Sequence, residues 1–162
     1  MNHGVYFTLP DKKIRLFEKY KDNYLQSVSE FKKLCEKSIG SSNIKVAIEN
    51  TNGYFPYEKE AISLLLKSSV FGLTWDIGHS NAVDNKDEEF IMSMESKLSH
   101  FHIHDGLSKC DHMPLGTGEI DLSQRLQLAE KNNCRCVVET KTINSLRKSV
   151  KWLRENGYIS LK

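Results

Sequence analysis

VFGLTWD, at residues 70–76, is a short apolar run that ends in a carboxylate. It is too short for a helix, so it predicts a buried β-strand over Val70–Trp75 with Asp76 at its end. Three other predicted strands carry an acidic or imidazole group at the same place: Ile44–Ile48 is followed by Glu49, Ser99–His104 contains His102, and Arg135–Val138 is followed by Glu139. This recurrence predicts one ionisable group at the end of each strand.

Segments of helical period separate these strands. The apolar spacing predicts helices at residues 11–39, 57–67, 85–98, 122–132 and 144–156. Strands that alternate with helices across short connections are parallel, which implies a barrel or a doubly wound α/β sheet. We find no linker or low-complexity segment, and we expect a single domain over residues 1–162.

Side-chain parity predicts two different faces for these strands. Thr74 falls on the same face as Asp76, whereas Leu73 and Trp75 fall on the other. The bulky face is suited to helix packing, and the small or polar face is suited to a polar centre. In α/β folds the carboxyl ends of the strands surround the ligand site, so the four groups are expected to meet there.

Three carboxylates and one imidazole form an oxygen-rich ligand set. Glu49, Asp76, His102 and Glu139 would suit Mn²⁺, Mg²⁺, Co²⁺ or Zn²⁺. His100 and His104 lie on the same face as His102 and are alternative ligands or hydrogen-bond partners. Such a centre can hold adjacent substrate oxygens and stabilise an enediolate while a carboxylate removes a proton.

Composition excludes several classes of partner. The chain has 162 residues and a net charge of +2, which gives no electrostatic reason to expect nucleic acid or an anionic membrane as a partner. No apolar run approaches the length of a membrane span, and the first residues lack a signal-peptide pattern, so a cytoplasmic protein is expected. The four cysteines match no zinc spacing and are expected to be reduced.

Five short strings carry a resemblance to a known family. They are Ala47-Ile48-Glu49-Asn50-Thr51, Trp75-Asp76-Ile77-Gly78-His79, His102-Ile103-His104-Asp105, the run from His112 to Asp121, and Val137-Val138-Glu139-Thr140. In this order and spacing they resemble the xylose isomerase-like TIM-barrel superfamily, in particular its sugar phosphate isomerase/epimerase group, with endonuclease IV more distant. The resemblance extends from about His3 to Trp152.

The resemblance implies a role for each matching residue. Glu49, Asp76, His102 and Glu139 correspond to the metal ligands of the family, and Glu49 and Glu139 to the catalytic pair that transfers protons. His79 corresponds to a substrate-binding histidine of the epimerases and to a ligand of an additional zinc in the endonucleases.

Two further histidines are assigned to substrate binding. His112 lies near the position of the further metal pair of the endonucleases, although Asp111 stands next to it and not two residues before it. His3 stands in Asn2-His3-Gly4, which resembles the end of the family's third strand.

The chain is shorter than a complete barrel of this type. A (β/α)₈ barrel takes about 250 residues, so the resemblance implies an incomplete TIM barrel that lacks about the first two to three βα units. Glu49, Asp76, His102 and Glu139 would end strands four, five, six and eight, with a short or irregular seventh strand somewhere between Lys109 and Leu122. Uncovered strand edges favour association, so we expect a homo-oligomer.

The leading hypothesis is therefore a divalent-metal-dependent isomerase or epimerase that acts on a small sugar or sugar phosphate. A non-catalytic barrel remnant and an endonuclease IV-like phosphodiesterase are the alternatives, and the phosphodiesterase would need a basic groove and more histidine ligands. Gly116-Thr117-Gly118 before a predicted helix is either a phosphate cradle or a plain turn.

Overall fold

The structure is a computed structural model, and it describes residues 6–51 and 53–160. The described residues up to Ile48 form one compact unit with Tyr54–Gly72, and Glu49–Gly53 form another with Leu73 onwards. The expectation of a single domain stays a prediction.

The first unit begins with a hairpin. Strands β1 (Tyr6–Thr8) and β2 (Lys13–Arg15) pair antiparallel, with Phe7 opposite Ile14. The prediction of a helix from residue 11 is therefore wrong at its start, because Leu9 and Lys12 close a tight turn through backbone hydrogen bonds. Helical structure follows the hairpin, as the short α1 (Leu16–Lys19), then α2 (Lys21–Ile39) and later α3 (Pro56–Leu65).

Four strands form the main sheet, in the order β3 (Val46–Glu49), β4 (Phe71–Asp76), β5 (Leu98–Ile103) and β8 (Arg135–Val138). β4 and β5 are parallel, and so are β5 and β8. Asp76 lies opposite His102, and Ile103 lies opposite Val138. This register places the carboxyl ends of the strands at one edge.

No seventh strand enters this sheet among the described residues. A short strand does lie between Lys109 and Leu122, as predicted, but it is not a strand of this sheet, because β5 pairs directly with β8. Part of that segment forms an antiparallel hairpin outside the sheet, from β6 (Asp105–Leu107) and β7 (Cys110–Met113). The hairpin turns at Ser108, whose φ is 54°. The four candidate ligands thus belong to four neighbouring strands.

The helices of the second unit are α4 (Ile77–Ala82), α5 (Glu88–Ser93), α6 (Leu122–Lys131) and α7 (Ile143–Glu155), with a 3-10 turn at Glu95–Lys97. The predicted helix over 85–98 is shorter than expected. Asp84 and Asn85 have positive φ angles and end α4 before α5 begins. The sequence analysis did not anticipate α4, whose first turn is capped by Asp76.

The apolar face of the sheet forms the core of the second unit. Trp75 and Phe101 are fully buried, with ring centroids 5.8 Å apart. α6 covers this face, since its Leu122 is buried and the Arg125 guanidinium lies 4.5 Å from the Trp75 ring. The parity prediction is therefore confirmed for this face.

The fold is α/β with a parallel sheet and corresponds to part of a TIM barrel. Its four main strands are half the number of a closed (β/α)₈ barrel. Among the described residues, no helix has both the length and the apolar character required to cross a bilayer.

Candidate metal centre

The four residues expected at the strand ends lie together. Glu49 ends β3, Asp76 ends β4, His102 lies in β5, and Glu139 follows β8. One ligand atom from each lies within 4.8 Å of the others. All four belong to the second compact unit. The convergence follows from the parallel register, because each side chain points to the same face at the same edge.

His102 stands between the two glutamates. Its Nδ1 atom is 2.9 Å from Glu49 Oε1 and 3.1 Å from Glu139 Oε2. Asp76 Oδ2 is farther from the same nitrogen, at 3.8 Å. The side chain of Asp76 is 0% exposed, whereas those of Glu49 and Glu139 are 33% and 41% exposed. The glutamates are thus the members of the set that a substrate can reach.

These residues fit a divalent cation. Three carboxylates within a few ångströms repel one another unless positive charge neutralises them. Asp76 Oδ2 and Glu139 Oε2 are buried, and neither accepts a hydrogen bond from the described residues. Buried carboxylate oxygens without donors are suited to an ion, and the oxygen-rich set favours Mn²⁺, Mg²⁺, Co²⁺ or Zn²⁺. The role of these four as ligands stays a prediction.

Asn50 fixes the backbone that carries Asp76. Its Oδ1 accepts a hydrogen bond from Asp76 N (2.8 Å), and its Nδ2 donates to Asp76 O (2.9 Å). The same Nδ2 also contacts Ser80 Oγ (3.0 Å) and Asp87 Oδ2 (2.9 Å), and all four residues are fully buried. This network joins the end of β3 to the end of β4.

The Asp76 carboxylate is held ionised by its neighbours. Burial by itself would raise the pKa of Asp76, but the hydrogen bond and charge of His104, with the backbone amide of His79, outweigh it. The pKa of Asp76 therefore lies below its usual value. An ionised carboxylate is the form that binds a metal ion.

A second group of histidines adjoins the first. His79, His104 and His112 bring one nitrogen each within 4.8 Å of one another. Asp111 joins them, with Oδ1 2.9 Å from His112 Nδ1 and Oδ2 3.9 Å from His79 Nε2. The hydrogen bond from His112 lowers the pKa of Asp111 to about 2, with Lys141 acting in the same direction and partial burial opposing it.

The predicted substrate-binding residues lie at different distances from the centre. His79 Nδ1 is 3.3 Å from Asp76 Oδ2, and His112 Nε2 is 3.7 Å from Glu139 Oε1, so both border the four-residue set. His3 lies outside the described residues. The substrate-binding roles stay predictions.

Gly116-Thr117-Gly118 forms a plain turn. Thr117 N donates to Pro114 O (3.2 Å), and Gly118 N donates to Asp105 Oδ2 (2.8 Å). Backbone amides that are already used in this way do not form a phosphate cradle. Asp105, which accepts the hydrogen bond from Gly118, is buried.

The sequence analysis assigned no role to Asn50 or Asp105. For His104 it left two roles open, metal ligand and hydrogen-bond partner. The strings Glu49-Asn50 and His104-Asp105 place polar residues directly after apolar strands, which is the one signal that points to them. Their hydrogen-bond partners lie 26 to 37 residues away in the case of Asn50 and up to 15 residues away in the case of Asp105, so spacing alone did not identify them.

Comparison with known proteins identifies the family and the fold of the chain. The family model for the xylose isomerase-like TIM barrel matches residues 3–156. An uncharacterised protein of Methanocaldococcus jannaschii is 28% identical over 145 residues, which cover 83% of this chain and 48% of that protein. The chain thus spans about half the length of this relative.

Two solved structures share the fold. The probable 3-DHS dehydratase AsbF of Bacillus anthracis, involved in petrobactin synthesis, aligns with a TM-score of 0.67 at 12% identity, over 85% of this chain and 58% of that one. The 3-keto-D-glucoside 4-epimerase YcjR of E. coli, in its apo form, aligns with a TM-score of 0.60 at 15% identity, over 93% and 60%.

Proposed function

Since the chain belongs to the xylose isomerase-like TIM barrel family, we propose that it is a divalent-metal-dependent isomerase or epimerase acting on a sugar or sugar phosphate. The observation that carries the proposal is the convergence of Glu49, Asp76, His102 and Glu139 within 4.8 Å. The solved dehydratase and epimerase support it through their shared fold.

Asp76 and His102, with the two glutamates, would hold the ion. A bound divalent ion supplies positive charge that stabilises negative charge developing on adjacent substrate oxygens. Asp76 is fully buried and cannot reach a substrate carbon, so its part is confined to holding the ion.

The two glutamates perform the proton transfer in this proposal. Both are partly exposed and lie on either side of His102 Nδ1, at 2.9 and 3.1 Å. One glutamate, as a carboxylate, removes the proton from the carbon next to the substrate carbonyl, and the other, as a carboxylic acid, donates a proton to the enediolate; exchange with solvent then restores both groups. His79 and His112, at the border of the set, would bind substrate hydroxyl or phosphate oxygens.

The experiment has a binding arm and an exchange arm. The protein should bind Mn²⁺ in calorimetry, and Asp76→Asn should weaken that binding. With Mn²⁺ present, the protein should catalyse the incorporation of deuterium from solvent at the α-position of a ketose or ketose phosphate. Glu49→Gln or Glu139→Gln should slow this exchange by about 10²–10⁴-fold.

Glu155→Gln is the matched control, because Glu155 is an exposed residue of α7 paired with Lys151. It should leave both metal binding and exchange unchanged. Mn²⁺ binding without exchange over a broad panel of ketoses would favour a non-catalytic metal-binding protein. Failure to bind Mn²⁺, Mg²⁺, Co²⁺ or Zn²⁺ would exclude the proposal.

A metal-dependent phosphodiesterase is the second candidate, and one observation favours it. Asp111 and His112 face His79 in spite of their unusual spacing, which places further metal-binding groups beside the first set. The number of bound ions distinguishes the two functions. One ion per chain supports the isomerase or epimerase, and two or more, with cleavage of a phosphodiester, support the second candidate.

A further inference from the structure

We propose that His104 positions Asp76 by engaging its Oδ1 atom, so that Asp76 presents Oδ2 alone to the metal ion. The inference rests on the proposed function, since it concerns the same ion. His104 would not be a ligand itself, although it stands two residues from His102 on the same face of the strand.

The hydrogen bonds of His104 define which of its nitrogens carries the proton. Its ring is fully buried, and its Nδ1 atom accepts a hydrogen bond of 2.7 Å from the backbone N–H of His112. A ring nitrogen that accepts a hydrogen bond carries no proton, and a neutral imidazole has one N–H. The other contact of Nδ1, with the carbonyl oxygen of Asp105, is longer at 3.4 Å. In the neutral ring the proton therefore resides on Nε2, which faces Asp76 Oδ1 at 2.9 Å.

The two oxygens of Asp76 consequently have different surroundings. Oδ1 faces His104 Nε2 and also accepts the backbone N–H of His79 at 2.8 Å. Oδ2 is buried without a hydrogen bond from the described residues, and it lies 3.3 Å from His79 Nδ1 and 3.8 Å from His102 Nδ1. Only Oδ2 is left for an ion, which makes Asp76 a ligand through one oxygen.

Packing holds the His104 ring in this orientation. The ring stacks on that of His112, with centroids 4.2 Å apart and an interplanar angle of 9°. Its other side lies so close to the backbone of Gly78 that a Cβ atom at Gly78 would overlap the ring. The imidazole therefore has no room to turn, which keeps Nδ1 on the His112 N–H and Nε2 at 2.9 Å from Asp76 Oδ1.

Two substitutions of His104 separate its two hydrogen bonds. Asparagine places an amide oxygen near the position of Nδ1, which keeps the acceptor for His112 N–H and removes the donor to Asp76. Glutamine places an amide N–H near the position of Nε2, which keeps the donor to Asp76. The affinity for Mn²⁺ alone is measured by calorimetry, and the thermal stability of each metal-free variant is measured alongside.

We expect His104→Asn to bind Mn²⁺ about 10–100-fold more weakly than the wild type, a loss typical of residues that orient a metal ligand. His104→Gln should stay within about threefold of the wild type, even if its metal-free form melts at a lower temperature. This separation of affinity from stability is not expected of a residue that serves only the fold.

Two results would overturn the inference while leaving the proposed function intact. The first is a His104→Asn variant that binds Mn²⁺ as tightly as the wild type. The second is an equal loss of Mn²⁺ affinity in His104→Asn and His104→Gln that parallels the loss of thermal stability in each. A wild-type protein that binds no Mn²⁺ would overturn the proposed function, and the inference with it.

Discussion

At the scale of single residues, the site depends on carboxylates that remain charged where they are partly or fully removed from water. Asp76 is fully buried and Asp111 is partly buried, yet the pKa of each lies below its usual value. Burial raises the pKa of Asp76, but the hydrogen bond and charge of His104 together with the backbone amide and charge of His79 outweigh it, whereas at Asp111 the His112 contact is by itself the largest cause. The histidines of this protein therefore tune the acids around the centre.

The lowered pKa of Asp111 can be tested through the pH dependence of folding stability. Its pKa is about 2 in the folded chain, against about 3.9 for an unperturbed Asp. A lowered pKa means that ionisation of Asp111 stabilises the folded chain above about pH 4, and that this contribution falls as the pH falls towards 2. Urea unfolding from pH 6 to about pH 3 should show a stability advantage of the wild type over Asp111→Asn that shrinks with acid.

Lys141 provides a second arm of this experiment. Its Nζ lies 3.1 Å from Asp111 Oδ1, so Lys141→Met should produce a smaller change of the same sign than Asp111→Asn. A difference between the wild type and Asp111→Asn that does not vary with pH would contradict the assignment.

At the scale of elements, the connection from β5 to α6 is ordered by one buried carboxylate. Asp105 Oδ1 accepts the backbone N–H groups of Gly106 (2.9 Å) and Ile120 (3.3 Å), and its Oδ2 accepts that of Gly118 (2.8 Å). A Cβ atom at Gly118 would overlap both Asp105 and the backbone of Gly106. This close approach brings the two ends of the connection together around the β6–β7 hairpin, which carries His112.

Replacing Asp105 with Asn should destabilise the protein by about 1.5–3 kcal/mol. The substitution removes the charge and converts one acceptor into a donor that faces backbone N–H groups. Asp121→Asn is the matched control, because Asp121 caps α6 through Gln124 N at an exposed position where Asn caps equally well. Free energies of unfolding in urea give the comparison, and equal losses in the two variants would show that Asp105 does not organise the connection.

At the scale of the whole molecule, apolar side chains remain exposed near the last strand. Val137 of β8 is 47% exposed, and Ile143 and Leu146 of α7 are 72% and 41% exposed. Among the described residues, β8 forms its ladder with β5 alone. An uncovered strand edge beside exposed apolar residues favours association.

We therefore expect the chain to form a homo-oligomer at micromolar concentration, most simply a two-fold dimer. Sedimentation equilibrium measures this directly. The double substitution Ile143→Lys and Leu146→Lys should weaken association by at least about tenfold, because it places charge on an apolar surface that would be buried. Both positions are exposed, so the variant should fold as the wild type does. A well-folded monomer for the wild type at this concentration would show that the apolar surface does not mediate self-association.

Local sequence patterns were sufficient for the strand ends and most of the elements. Asp76, at the end of VFGLTWD, illustrates why: alternation sets the face on which a side chain lies, and parallel strands bring such faces to one edge. The strand Arg135–Val138 and the helix from Leu122 were likewise predicted, because each depends on residues that are adjacent or one turn apart.

Only the tertiary structure determines which strands pair and which residues hold the strand ends in place. The direct pairing of β5 with β8 depends on hydrogen bonds between residues far apart in sequence, and it leaves the hairpin between them outside the sheet. The part played by His104 depends on which of its nitrogens carries the proton, and a backbone N–H at His112 sets this. Periodicity records which face of an element is apolar, but it does not record which distant donor meets which acceptor, and those pairings are made only when the chain folds.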